Sequence, residues 1–527
     1  MAKDYVIGIG GTGARCVEAL TYLAAAGVFQ NDLHILIVDS DRSNGNSDTA
    51  KQLVESYQAL QAMTQPPRPE RKRMLGFSSE KLPPPALFRA SINQGSDGRR
   101  LQIDWHSPND SSVTFRRLIN YQTLPDPLKK HLELFYTQAD LDMTMEEGYR
   151  GRTNVGSVAL KQDLESTAAL EGNSLRRFLE ELNRDLNTGP ARLFVIGSVF
   201  GGTGAAGLPT IPALINNLGD DSVLAPGNRK KLIFGSAMMG PYFAFPPPDD
   251  AQEKHPGTDS TQHAVATQAA LLHYAHVPPD YDRSYLHGAP QRPQTNEQNV
   301  GGGTQQKNKP HYAEIMAALS AWDFFTRPDA RSDERLLHYA DTYKGGEDEG
   351  ARWANLPLSL TLLPQRKLLT RRLVVFTTFA YFYHRLLHQR FIENREYQDM
   401  LFYGHNFNRL SLDQEIGQLS ALNDFLDGYI NWLRQIGETG AEGGGLPFFL
   451  WQAFSAYDRS LSGGHLGNLM TFEGPPPRHA TDGFDEIRRR LEHLTLTKPE
   501  TNSATGLFIY LLWQAVSEFC TENYDWK

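Results

Sequence analysis

Cysteine is nearly missing from the 527-residue chain. Cys16 and Cys520 are its only two, which excludes a disulfide framework and a cysteine-rich zinc site. A basic run is missing too. With 52 Lys and Arg against 61 Asp and Glu, the formal net charge is −9, and no nucleic-acid or anionic-membrane footprint emerges at the level of the whole chain. The short runs Arg371-Arg372 and Arg488-Arg489-Arg490 read as solvated helix faces. No apolar stretch reaches the ~20 residues of a spanning helix. The most apolar later run, Leu373 to Tyr383, is about half that length and is flanked by Arg371, Arg372, His384 and Arg385. Met1 to Asp4 leads into a strand-like run with no signal-peptide layout. The expectation is a cytoplasmic protein with no membrane span and no nucleic-acid partner. His255, His263, His273, His276 and His287 lack metal-ligand spacing, and Gly197-Ser198-Val199-Phe200-Gly201 lacks that of a nucleophile elbow.

What is present is globular: 40% hydrophobic and 21% charged residues, enough for several cored domains. Residues 4–9 are a buried-strand pattern, followed by glycines and a helix from about Ala14 to Ala26 that Gly27 ends. Leu33 to Val38 forms a second strand, closing a βαβ unit. Residues 62–115, with Pro66, Pro67, Pro69 and Pro83 to Pro85, read as an excursion. A long helix from about Ser157 to Leu186, interrupted near Gly172, leads into a strand at Leu193 to Ile196. More glycines follow, then a helix from about Leu208 to Leu218 and a strand over Lys231 to Ala237. The class is α/β with a parallel sheet. Gly288 to Pro310 and Lys344 to Gly350 read as loops. From Leu356 onward the pattern is helical, over 368–391, 412–436, 448–461, 483–494 and 504–524.

Two glycine segments carry the chemistry. Gly8-Ile9-Gly10-Gly11-Thr12-Gly13 lies between a strand and a helix, where glycines let backbone N–H groups reach phosphate oxygens and the helix dipole favours an anion. The same letters fit the dinucleotide fingerprint, with Asp39, 26 residues past Gly13, as a candidate ribose-binding acid. The second segment, Gly201-Gly202-Thr203-Gly204-Ala205-Ala206-Gly207, sits in the same context about 190 residues later. A dinucleotide domain does not need it. Neither segment is a Walker motif, so backbone dipoles, Mg²⁺ and an arginine would have to meet the phosphate charge.

Paired in this way, the segments resemble those of the tubulin/FtsZ superfamily, especially its divergent bacterial branch. The resemblance covers residues 4–325 and implies a tubulin-like nucleotide-binding domain over 1–325, with an insertion at about 48–145. A linker over 326–355 and a mainly helical C-terminal domain over 356–527 would follow. It implies GTP or GDP, with Mg²⁺, held by Gly10, Gly11, Thr12, Gly13, Gly201, Gly202, Thr203, Gly204 and Ala205. Asp39 and Asp41 would lie near the phosphates and Mg²⁺. Arg150 and Arg152, in a loop resembling the γ-phosphate sensor, become phosphate ligands, and Asn308 and Tyr312 become candidates for the base. Phe200, Ala206 and Pro246 depart from the family pattern.

The resemblance further implies head-to-tail self-association into a filament or ring, with a protein partner engaged through the C-terminal helices. Hydrolysis in this family uses an Asn-x-Asp-x-x-Asp pattern that is not found. The nearest acids, Asp323, Asp329, Asp333, Glu334 and Asp341, have other spacings. GTPase activity therefore does not follow. Two other readings remain open: a Rossmann-type NAD(P)-dependent oxidoreductase, and a nucleotide-bound scaffold of a bacterial defence or conflict system that does not hydrolyse.

Overall fold

A computed structural model describes residues 3–64, 86–105, 107, 112–145, 148–149, 151–218, 223–244, 260–288, 303–327, 336–341, 363–387, 416–442, 483–494 and 504–523. The chain is α/β. Seven parallel strands form one sheet: β1 (Lys3–Ile9), β2 (Asp32–Val38), β3 (Asp104–Trp105), β4 (Ala191–Ser198), β5 (Leu232–Met239), β6 (Arg283–Gly288) and β7 (Leu336–Asp341), in the order β3-β2-β1-β4-β5-β6-β7. The central strands are buried along nearly their whole length, as expected where helices cover both faces of a parallel sheet. Near the edge, β6 alternates buried and half-buried residues.

The helices of this sheet are α1 (Gly10–Ala25), α2 (Gly45–Thr64), α3 (Thr153–Ala169), α4 (Ser174–Thr188), α5 (Gly202–Asn217), α6 (Ser260–His276) and α7 (Tyr312–Thr326). Strand parity sorts the packing. Leu193 and Val195 of β4 point into a cluster with Leu160 of α3, Leu179 of α4 and Leu208 of α5, whereas Phe194 meets Phe324 of α7 at 5.4 Å between ring centroids. The stretch 48–145 supplies β3, which pairs with Ile37 and Val38, and adds Phe115, Leu141 and Met143 to the first cluster. Gly172, at φ +81°, divides α3 from α4 as its sequence position predicts.

Both glycine segments differ from expectation in one respect: from Gly10 and from Gly202 onward they are helical. α1 starts at Gly10, not Ala14, and α5 at Gly202, not Leu208. Glycine has poor helix propensity and no side chain to show periodicity, so the first turns are invisible to pattern reading.

α5 also contains Pro209 and Pro212. A proline cannot donate to the carbonyl four residues before it, so Ala205 O and Leu208 O lose their helical partners. The Tyr274 hydroxyl donates to Ala205 O at 2.7 Å, and the Tyr281 hydroxyl to Leu208 O at 2.5 Å.

Contacts divide the chain into two compact units, residues 1–20, 31–52 and 92–344, and residues 21–30, 53–91 and 345–527. The first holds the sheet. In the second, the described elements after residue 344 are all helical: α8 (Leu363–Tyr381), which runs on through a wider π-turn at Phe382–Leu387, α9 (Ile416–Glu442), α10 (Gly483–His493) and α11 (Ala504–Asn523). The helix expected at 448–461 lies outside the described residues. An aromatic cluster centres this unit: Tyr22 packs on Phe425, Tyr429 and Trp432, and Phe88 on Tyr57, Phe376 and Phe425. Among the described residues no helix is long and apolar enough to cross a membrane. Cys16 and Cys520 are both buried and free.

Candidate functional site

The strand order reverses direction between β1 and β4, and a crevice opens at such a switch point beyond the carboxyl ends of the strands. Both glycine segments follow these two strands. After Ile9 the backbone turns at Gly10 with φ +65°, a conformation that side chains rarely adopt. Gly13 lies so close to its neighbours that a Cβ there would stand 2.6 Å from the carbonyl carbon of Gly8 and 2.8 Å from Ile196 O on β4. Gly11, Thr12 and Gly13 therefore present first-turn amides, which an α-helix leaves without an internal partner.

After β4, the Gly201 amide donates to Ser198 Oγ at 3.2 Å, and Ala205 N closes the first turn of α5 on Gly201 O at 3.0 Å. Gly201, the N-cap, provides no side-chain cap, so the amides of Gly202, Thr203 and Gly204 open α5 without one. A Cβ on Gly10 would stand 3.3 Å from Thr203 Cβ. The two helix N-termini thus face each other across the switch point, and their dipoles add for an anion placed between them.

Three other segments converge here. In the first, Asp39 is 2% exposed. Its Oδ1 accepts from Asp41 N at 3.1 Å and its Oδ2 from the Ser47 hydroxyl at 3.0 Å. Ser40 Oγ lies 3.3 Å from Thr203 Oγ1. Asp41 accepts from Ser43 N and Ser43 Oγ on one oxygen, and from Gly303 N at 2.6 Å on the other.

The second is the stretch from Gly148. A Cβ on Gly148, at φ +67°, would come within 3.3 Å of Ser40 Oγ and 3.8 Å of Thr203 Oγ1. Tyr149 is buried, and a Cβ on Gly202 would lie 2.9 Å from its Cβ and 3.2 Å from Arg152 N. The Arg152 backbone is therefore at the site. Its guanidinium instead pairs with Asp140 at 3.2 Å and donates to Ala139 O at 3.1 Å. Arg150 lies outside the described residues.

The third segment, 303–314, straps the first. Gln306 accepts from Asn44 Nδ2, while Asn308 accepts from Asn46 Nδ2 through its Oδ1 and donates its own amide to Asn46 Oδ1. A Cβ on Gly11 would stand 3.1 Å from the Nδ2 atoms of both Asn44 and Asn46, so the strap is coupled to the first helix terminus. Asn308 thus spends its side chain on Asn46. Tyr312 opens α7, buried, its ring 4.2 Å from that of His311.

Beneath lies a buried ion pair. Arg15 Nε donates to Glu314 Oε1 at 2.6 Å, and its other nitrogens donate to Asn308 O and Lys309 O. The Tyr242 hydroxyl also donates to Glu314 Oε1, at 2.9 Å, and His311 N to Glu314 Oε2 at 3.0 Å. Burial, the largest single influence, would lower the Arg15 value, but Glu314, Tyr242 and Glu18 together outweigh it and the guanidinium is held above its ordinary range. Burial, helped by Arg15, pushes His311 down to about 3, so its ring is neutral and Nδ1 accepts from Ala313 N.

Sequence reading named the glycines, Asp39 and Asp41, but missed Arg15, Asn44, Asn46, Gln306 and Glu314. Asn44-Gly45-Asn46, a polar turn just past a buried strand, was the available signal. Phe200 packs on His263 at 5.0 Å and Tyr242 at 6.4 Å. Asp323 is buried, accepts from Tyr285 and Arg327 at 2.6 Å each, and is raised by burial against both. Asp329, Asp333, Glu334 and Pro246 lie outside the described residues. Among the described residues no group of three His, Cys, Asp or Glu could hold a metal ion. No protein-family model matches the chain, and no curated protein matches its sequence.

Proposed function

We propose that this protein binds a guanine nucleotide, its phosphates held between the first turns of α1 and α5, and that the nucleotide state governs self-assembly or partner binding. The tubulin/FtsZ resemblance of the two segments supplies the choice of GTP. The observation that carries the binding reading is the pair of glycine-lined helix N-termini at one switch point, Gly10 beside Thr203, with no side-chain cap on α5. Mg²⁺ would enter with the nucleotide, on phosphate oxygens and water, because Asp39 and Asp41 are already engaged by the protein.

Strand order does not separate this reading from an NAD(P)-dependent oxidoreductase, since dinucleotide folds share it. Asp39 does. The ribose-binding acid of a dinucleotide site must offer its carboxylate to the ligand, and Asp39 is buried with each oxygen already accepting from the protein. A nucleotide-loaded scaffold without turnover is the second reading, favoured by those same engaged carboxylates.

Calorimetric titration with GTP, ATP and NADH tests the assignment. GTP is expected to bind, and at a hundredfold excess over its Kd to add about 2.7 kcal/mol of stability. Tight NADH binding without GTP binding would overturn the proposal.

A further inference from the structure

Among the described residues of the second compact unit, three arginines have no carboxylate within ion-pair distance. Arg371 and Arg372 are consecutive on α8. Arg89 belongs to the segment after residue 85, which is firmly seated: Phe88 N donates to Ala25 O at 3.1 Å, and Ala90 O accepts from the Tyr57 hydroxyl at 2.6 Å. Between those anchors Phe88 adopts φ +51°, a costly conformation for a bulky residue. Its ring packs 6.2 Å from Phe376, one helical turn beyond Arg372. That contact brings Arg89 to the same stretch of α8 as Arg371 and Arg372.

Two other arginines of this unit are paired, Arg490 with Glu486 and Glu522 and Arg488 with Glu492. Among the described residues no carboxylate lies within ion-pair distance of Arg89, Arg371 or Arg372. Arg371 donates to Thr521 Oγ1, at 3.4 Å, in the last turn of α11. That contact accounts for one arginine as a helix-end companion and leaves the other two. Arg372 is half-buried, and its Nε is buried without a hydrogen-bond partner. Burial holds the Arg372 guanidinium below its ordinary value, and the charges of Arg371 and Arg89 push it the same way.

We propose that Arg89, Arg371 and Arg372 form a binding site for a multivalent phosphate group. Guanidinium forks match phosphate oxygens two at a time, and two like charges beside a partly desolvated third gain most from a ligand of charge −2 or more. An anion there would give the Arg372 Nε its partner and relieve the mutual repulsion.

The test titrates the full-length protein with inorganic pyrophosphate at low ionic strength, in the wild type and in Arg89→Gln and Arg371→Gln. Both positions are exposed, so the fold should tolerate the changes. A class of sites weakened about tenfold or more in both variants, with GTP titration unchanged, is the expected result. Pyrophosphate isotherms that coincide in all three proteins, with no vesicle binding, would overturn the proposal. Flotation with phosphatidylcholine vesicles, with and without a phosphorylated phosphatidylinositol, identifies the source. Vesicle binding that both variants lose assigns the site to a lipid headgroup. Pyrophosphate binding alone assigns it to a soluble phosphoanion.

Discussion

His34 sits on β2, stacked 5.0 Å from Tyr5, with neither ring nitrogen hydrogen-bonded. Burial first, and the Lys3 charge second, lower it from 6.5 to about 4, against the weaker pull of Glu181 and Asp32. The unfolded chain therefore takes up a proton near pH 6.5 that the folded protein refuses until about pH 4. Stability from this residue is complete above the first value and is lost as pH falls toward the second, by about 2 kcal/mol at pH 5. Asp4 acts in the opposite sense: burial raises it to about 7, so its contribution falls as pH rises from 3.8. The wild-type curve sums such terms, and the difference from a variant isolates one. Between pH 7.5 and pH 5, His34→Phe should gain about 2 kcal/mol on the wild type in denaturant unfolding. Parallel curves would refute this account of His34. Side chains of this kind are where sequence reading stops. Arg15 finds Glu314 299 positions away, and Asn46 finds Asn308 262 away. Local spacing carries no trace of either pair, so Asn308 could be named as a polar residue near the site but not as the partner of Asn46.

Elements were far more legible, because apolar runs and their period are local. Leu33 to Val38 and Leu193 to Ile196 were read as strands and are strands, and the break at Gly172 is there. The beginnings of α1 and α5 were not, since glycine hides a helical turn. Nor was the repair of α5. Each proline in a helix interior costs about 3 kcal/mol, part of it as an orphaned carbonyl. Tyr274 and Tyr281 answer Ala205 O and Leu208 O from α6 and from the residues before β6. Tyr274→Phe should destabilise the protein by about 1–3 kcal/mol, the range for a buried polar group left unpaired. Pro209→Ala restores an N–H that can reach Ala205 O, so the tyrosine substitution should cost less in that background. A double-mutant cycle measured by chemical denaturation gives the coupling. Additive changes would mean that Tyr274 and Pro209 are unrelated, and the pairing of hydroxyl with proline would fall.

At the scale of the whole molecule, binding and turnover make different demands. Binding a phosphate chain needs dipoles and amides, which the two helix termini place together by topology alone. Hydrolysis also needs a group that positions water, and the two aspartates at this site, Asp39 and Asp41, already accept hydrogen bonds from the protein. Asp39 and Asp41 hold the turn after β2 and the 303–308 strap, while Asp323 lies near the far end of α7, beside Tyr285 and Arg327. Turning Asp39 or Asp41 toward a water would strain their bonds to Ser47, Ser43 and Gly303. A single copy should therefore hold GTP without consuming it. If the proposed head-to-tail contact forms, it is heterologous, so the neighbour can bring a different surface to each site and complete it in trans. The expected outcome is dilute protein that releases no phosphate above the uncatalysed background. Any specific rate should rise only at concentrations where sedimentation detects assembly. Phosphate release and sedimentation measured on the same dilution series check both halves. A specific rate that is high and constant down to the monomer would place the missing group within one chain and remove the need for a neighbour.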